Sequence, residues 1–179
     1  MTNKELEHCI QEYGKDIYSF CRHLTAMTQE ADDLYQDTFV KAMELGAGIE
    51  TDGNPKSYLL SIALRIWKNK RRKFAWRNRI WQEQAIGGEY RAAAEYDEQG
   101  SPEEMMLQKE ELDTVNAAVA KLPARHRVAV LLYYMEEMSV SEIAAITKIP
   151  AGTVKSRLHT ARKILKKELE DILNEERFR

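Results

Sequence analysis

Seven basic side chains, Lys148, Lys155, Arg157, Arg162, Lys163, Lys166 and Lys167, fall within twenty consecutive residues that contain no acid. Such a run attracts a polyanion. Ser156, His159 and Thr160, set among the cations, add short polar groups able to reach base edges. A second run lies upstream: Arg65, Lys68, Lys70, Arg71, Arg72, Lys73, Arg77 and Arg79 are eight basic residues in fifteen, again without an acid. Trp67, Phe74 and Trp76 fall among them. Basic groups steer toward phosphate, while aromatic faces stack on unpaired bases for about 1–3 kcal/mol each. Trp67 also lies beside the Leu60–Leu64 stripe, so core packing is an equal reading for it. A third group, Asp33, Gln36 and Asp37, is spaced i, i+3, i+4 and shares one exposed strip of a helix. That strip reads as a solvated face as readily as a docking surface.

The elements that must position these groups follow from local pattern. Ser139 with Glu142 three residues on is a capping box, in which hydroxyl and carboxylate satisfy the free amides of a first helical turn. Ile143, Ala144 and Ile146 follow, with the Ala144–Ala145 pair small enough for a second helix to cross closely. Lys148–Ile149–Pro150 breaks the helix, because proline disfavours helical geometry in the residue before it. The next helix starts at Pro150 or Ala151, and Val154, Leu158, Ala161 and Leu165 give it a buried stripe opposite the basic face. A short capped helix, a tight turn and a second helix with a basic face make a helix-turn-helix sized for a DNA major groove.

Upstream, residues 3–26 are predicted helical with Leu6, Ile10, Tyr13, Ile17, Phe20, Cys21 and Leu24 inward. A helix over 30–45 buries Ala31, Leu34, Tyr35, Thr38, Phe39 and Ala42. The loop 46–54 holds three glycines, and Asn54 then caps a helix opening on Pro55. That helix buries Leu59, Ile62, Ala63 and Ile66. Helical spacing resumes at Leu112, Val115, Val119 and Leu122. Val128–Met135 is an unbroken apolar run, assigned to helix because a lone strand would have nothing to pair with.

The net charge of −2 conceals a division: residues 1–80 carry +2, residues 81–111 carry −7 and residues 112–179 carry +3. Two mildly basic parts joined by an acidic tether suit two domains that meet one polyanion. The expected architecture is all-α, with two small helical domains at 1–83 and 107–179 and a flexible acidic linker over 84–106. No apolar run approaches the roughly 20 residues of a membrane span, and MTNKELEHC lacks a signal-peptide core, so a cytoplasmic protein without membrane insertion is expected. Two cysteines, Cys9 and Cys21, are too few for a disulfide framework. No zinc spacing is present, and no metal, cofactor or catalytic residue is expected.

Ala31–Ala42, Pro55–Lys73 and Leu122–Leu165, in that order and with the linker between the last two, resemble the bacterial RNA polymerase sigma factors of the extracytoplasmic-function group. The first stretch looks like the core-binding helix of their region two, and the second like its promoter-melting and minus-ten segment. The third is similar to region four, which reads the minus-thirty-five element. The resemblance implies that Asp33, Gln36 and Asp37 dock on the polymerase clamp. It assigns Asn54, Arg65, Lys68 and Arg72 to the minus-ten DNA, with the loop 46–54 where the family captures a flipped base. Lys155, Ser156, His159 and Thr160 match positions facing the minus-thirty-five bases and their backbone, and Arg157 and Arg162 match backbone-contact positions. The implied partners are core RNA polymerase, promoter DNA and an anti-sigma factor, with the protein nucleoid-associated when in holoenzyme. Three departures stand out: Tyr58 where tryptophan is usual, Arg65 where asparagine is frequent, and Lys148 at a turn position where glycine is usual.

Two other classes compete. A free-standing helix-turn-helix regulator would bind DNA as a dimer and needs a self-complementary surface for two half-sites, for which no helix or ligand domain is evident. A nucleic-acid enzyme would need ligands or bases, yet Asp32, Asp33 and Asp37 have no partners at metal-site spacing. His8, His23, His126 and His159 have no nucleophile motif beside them.

Overall fold

The structure is a computed structural model that describes residues 3–25, 27–45, 54–80 and 102–177, with side chains described over 5–25, 27–45, 54–76 and 112–172. The expected loop before Asn54 and residues 84–101 of the expected linker lie outside the described residues, and the last five residues of that linker, 102–106, are helical instead. The helices are α1 (Asn3–Leu24), α2 (Thr28–Leu45), α3 (Pro55–Ile80), α4 (Pro102–Lys121), α5 (Ala124–Val130), α6 (Val140–Thr147) and α7 (Ala151–Arg177). Among the described residues there is no strand. The chain divides into two compact units, with the main-chain boundary at 89/90.

In the first unit α1, α2 and α3 pack against one another. Ile17, Phe20, Cys21 and Leu24 of α1, Ala31, Leu34 and Ala42 of α2, and Leu59, Leu60, Ala63 and Leu64 of α3 form the core. Burial of this apolar surface, about 25 cal/mol per Å², is what holds three otherwise marginal helices. Thr38 sits within that core because its hydroxyl donates to the Leu34 carbonyl at 2.6 Å, which removes the penalty of a buried polar group. Tyr18, Tyr35 and Phe39 stack edge-on between α1 and α2, and the Tyr18 hydroxyl donates to Asp32 at 2.8 Å. Gly14 makes room for this stack: a Cβ there would lie 3.1 Å from the Tyr35 hydroxyl oxygen. Ile10, expected to face inward, is exposed. A helix with only two neighbours buries a narrower arc than its full apolar set, and Ile10 falls outside it.

Asn54 caps α3 as expected, its side-chain oxygen accepting from the Lys56 and Ser57 amides at 3.0 and 3.4 Å. Lys56 crosses to Asp16 at 2.5 Å, and Lys70 crosses to Asp37 at 2.7 Å. Ile66 is half-buried rather than buried, and the core contribution of α3 ends at Trp67.

In the second unit α4 and α5 pack on α7. Ala118, Val119, Leu122, Val128–Leu132, Met138, Ile143, Val154, Leu158 and Ala161 are buried. The Val128–Met135 run is helical, but it widens into a π-helical turn over Leu131–Met135. Leu112 and Val115 are exposed, a departure from the expected inward spacing, whereas Ala118 and Val119 of the same helix are buried. Arg127 closes the end of α4 by donating to the Ala120 and Leu122 carbonyls, which have no partner within the helix.

α6 ends in a Schellman turn: Lys148 takes φ 55° and the Ile149 amide returns to the Ala144 carbonyl at 3.2 Å. Ile143 is buried and lies on the inner face of α6, whereas Ala145 of the expected small pair is exposed. A side chain in left-handed geometry costs about 1–2 kcal/mol, and glycine returns part of that as freedom of the unfolded chain. Lys148→Gly is therefore expected to stabilise the protein by about 0.5–1 kcal/mol in urea titration. A loss of stability would show that the lysine side chain holds the turn.

Candidate nucleic-acid interface

The turn and caps around α6 fix where α7 begins. The Ser139 amide donates to the Glu142 carboxylate at 2.8 Å and the Glu142 amide donates to the Ser139 hydroxyl at 3.2 Å, which is the expected capping box in both directions. Hydrogen bonding from Ser139, side chain before backbone, holds the Glu142 carboxyl below its ordinary value. Pro150 then accepts from the Thr153 and Val154 amides at 2.9 and 3.1 Å and starts α7.

Val154, Leu158 and Ala161 turn inward, while Leu165 is only half-buried. That register leaves Lys155, Ser156, His159, Thr160, Arg162 and Lys163 exposed and Arg157 half-buried. The Ser156 hydroxyl donates to the Thr153 carbonyl at 2.9 Å. At Gly152 an added Cβ would meet nothing within 4 Å, so the first turn of α7 is open to its surroundings.

Two contacts that the sequence does not announce brace this helix. Buried His126 on α5 faces the Arg157 carbonyl through Nδ1 at 3.2 Å, and its Nε2 lies 3.2 Å from the Arg125 Nε–H. Because Nε2 must accept there, the imidazole proton is assigned to Nδ1, which donates to the α7 backbone. The other contact involves Arg162, whose Nε donates to the Tyr134 hydroxyl at 2.7 Å. Its guanidinium carbon lies 5.8 and 5.7 Å from the Tyr133 and Tyr134 ring centroids. The Tyr134 hydroxyl keeps this guanidinium protonated to still higher pH than usual.

The second basic face lies on α3. From Lys68 to Trp76 every side chain is exposed, so this half of the helix serves no core. Arg65 and Arg72 are exposed as well, and Arg72 donates to Asn69 at 3.0 Å. Trp67 resolves to the core at 8% exposure, with the Arg71 guanidinium 4.9 Å above its ring. Phe74 and Trp76, at 62% and 66%, remain available as stacking surfaces. Asn54 is exposed with its oxygen engaged in the cap.

The acidic strip of α2 is exposed at Asp33, Gln36 and Asp37, as its spacing predicts. Asp37 is ion-paired to Lys70. Neighbouring Asp32 is half-buried and committed to Tyr18. Among the described residues no group of three or more His, Cys, Asp or Glu is placed to hold a metal, and no helix is long and apolar enough to cross a membrane.

Comparison with known proteins matches both units. The family described as Sigma-70 region 2 matches residues 9–77, and the family described as Sigma-70, region 4 matches residues 112–165. The RNA polymerase sigma-H factor of Pseudomonas aeruginosa is 32% identical over 170 residues, covering 93% of this chain and 86% of that protein. The ECF RNA polymerase sigma factor SigW of Bacillus subtilis is 29% identical over 161 residues, covering 89% and 86%. Among solved structures, the sigma factor RpoE of Bartonella quintana, crystallised with the anti-sigma factor NepR, superposes with a TM-score of 0.77 at 25% identity. That match covers 93% of this chain and 98% of RpoE. The two regions in order, on the two units just described, show that the chain belongs to the sigma-70 family of RNA polymerase sigma factors, in its extracytoplasmic-function group.

Proposed function

We propose that this protein is a dissociable initiation subunit that binds core RNA polymerase, reads two promoter elements and helps open the duplex. Sigma factors are initiation factors and not enzymes, and this chain acts by binding alone. The observation that carries the reading is the pairing of two helical units, each with an exposed acid-free basic face, on one chain with an exposed acidic strip.

The roles divide by chemistry. Asp33 and Gln36, with Asp37, form the polymerase-docking strip of α2. Asn54, Arg65, Lys68 and Arg72 line the path of the minus-ten strand, with Phe74 and Trp76 free to stack on bases once the strand is open. On α7, Lys155, Ser156, His159 and Thr160 face the minus-thirty-five element, and Arg157 and Arg162 hold its phosphates. Phosphate contacts supply affinity without sequence information, whereas base-edge contacts supply discrimination. An anti-sigma factor is the remaining proposed partner, as NepR is for RpoE. The site of action is the cytoplasm, on the nucleoid when the holoenzyme is assembled.

The test is discrimination by the reconstituted holoenzyme between a preferred and a scrambled minus-thirty-five element, measured by fluorescence competition. Lys155→Ala is expected to narrow the gap by about 1–3 kcal/mol, the value of a bidentate contact to guanine. Equal losses on both duplexes would move Lys155 to the phosphates.

A further inference from the structure

The Arg162–Tyr134 contact joins residues 28 apart, and burial does not force it: Arg162 is exposed and Tyr134 is 54% exposed. An exposed arginine ordinarily keeps its rotamer freedom. Here three features act against that freedom. The Nε–H is taken by the Tyr134 oxygen, the guanidinium carbon lies within 5.8 Å of two ring centroids, and the Tyr134 ring is itself set edge-on against Tyr133 at 4.9 Å.

What this leaves is a cation held by Tyr134 and by a further hydrogen bond with Tyr133, with N–H donors still to spare. Arginine has five N–H groups, more than the two tyrosines engage. Among the described residues no carboxylate is paired with Arg162. A fork held in place before its target arrives loses less entropy on binding, and paired Nη donors match phosphate oxygens. Arg162 stands on the exposed side of α7, three turns beyond the open first turn.

We propose that Tyr134 is a positioning residue of the DNA interface, whose hydroxyl orients the Arg162 guanidinium toward a backbone phosphate flanking the bases read by α7. This rests on the reading of α7 as the minus-thirty-five helix. Tyr134 lies outside the helix-turn-helix, before α6 begins, and acts through Arg162 rather than on a base.

The test uses the holoenzyme on preferred and scrambled minus-thirty-five duplexes across a salt series, with Tyr134→Phe, Arg162→Ala and the double variant. Tyr134→Phe keeps the ring and removes the hydroxyl. It is expected to weaken binding about three- to tenfold on both duplexes, as loss of one hydrogen bond does, with the salt slope and melting temperature unchanged. Arg162→Ala is expected to weaken both further and lower the salt slope by about one. In the Arg162→Ala background, Tyr134→Phe should add less than about twofold, because its effect passes through the arginine. If Arg162→Ala weakens binding but Tyr134→Phe does not, or if the tyrosine effect is undiminished without Arg162, the positioning role is overturned and the reading of α7 stands. If Arg162→Ala leaves both duplexes unaffected, the assignment of α7 falls and takes the positioning role with it.

Discussion

Asp33→Ala combined with Gln36→Ala is expected to weaken the affinity for core RNA polymerase by about tenfold or more, while the melting temperature hardly moves. Both side chains are exposed, and exposed substitutions shift stability by less than about 0.5 kcal/mol. Truncating two polar groups at the centre of a docking surface removes at least about 1.4 kcal/mol of binding. Asp37 is left in place deliberately, since its removal would also unpair Lys70 and mix two effects. Asp32→Ala is the control: that carboxylate accepts from Tyr18 inside the unit, so its loss should reduce stability and leave the docking strip intact. Titration of labelled protein with core polymerase, beside thermal melts, separates the two. Unfolding of the double variant would mean that the strip belongs to the core of the first unit and not to its surface.

Leu158→Ala is expected to destabilise the second unit by about 2–5 kcal/mol. Leu158 is buried between Val154 and Ala161 on the inner face of α7, where removing three carbons leaves a cavity that the helices cannot fully close. The readout is selective, because Trp67, Trp76 and Trp81 all precede the boundary at 89/90. Circular dichroism, which reports all helices, should show a new early transition, while tryptophan fluorescence, which reports the first unit, should keep its midpoint. Unchanged stability would put Leu158 on the surface and reverse the face of α7 proposed to meet DNA.

What was legible in the sequence was local. The capping box, the Asn54 cap, the break at Lys148–Pro150, the Val154–Leu158–Ala161 stripe and the exposure of Asp33, Gln36 and Asp37 all depend on residues within two turns of one another. Helical period and cap chemistry therefore determine them. The acidic stretch between two basic parts is read from charge alone, and most of the linker expected there lies outside the described residues. Trp67 was not assignable, because an indole in a basic run serves a core and a stacked base equally well; only its burial in the folded unit decides. Ile10, Leu112 and Val115 have core-like spacing and are exposed, since periodicity names an apolar face without saying how wide a neighbour covers it. The contacts that brace the recognition helix were invisible for a different reason. His126 reaches Arg157 over 31 residues and Tyr134 reaches Arg162 over 28, distances at which no local period operates. Tyr134 was further hidden inside an apolar run, where a tyrosine reads as bulk and its hydroxyl goes unnoticed.

On the proposed reading, the chain redirects core polymerase to promoters of its own choosing. In-vitro transcription with core polymerase over a genomic promoter library, with and without this protein, tests it most directly. The account predicts transcripts from a limited set of new start sites that appear only when core polymerase and this protein are both present. Those start sites should share sequence at minus ten and minus thirty-five. No new start sites, together with tight binding of the protein alone to two-fold symmetric DNA as a dimer, would contradict it.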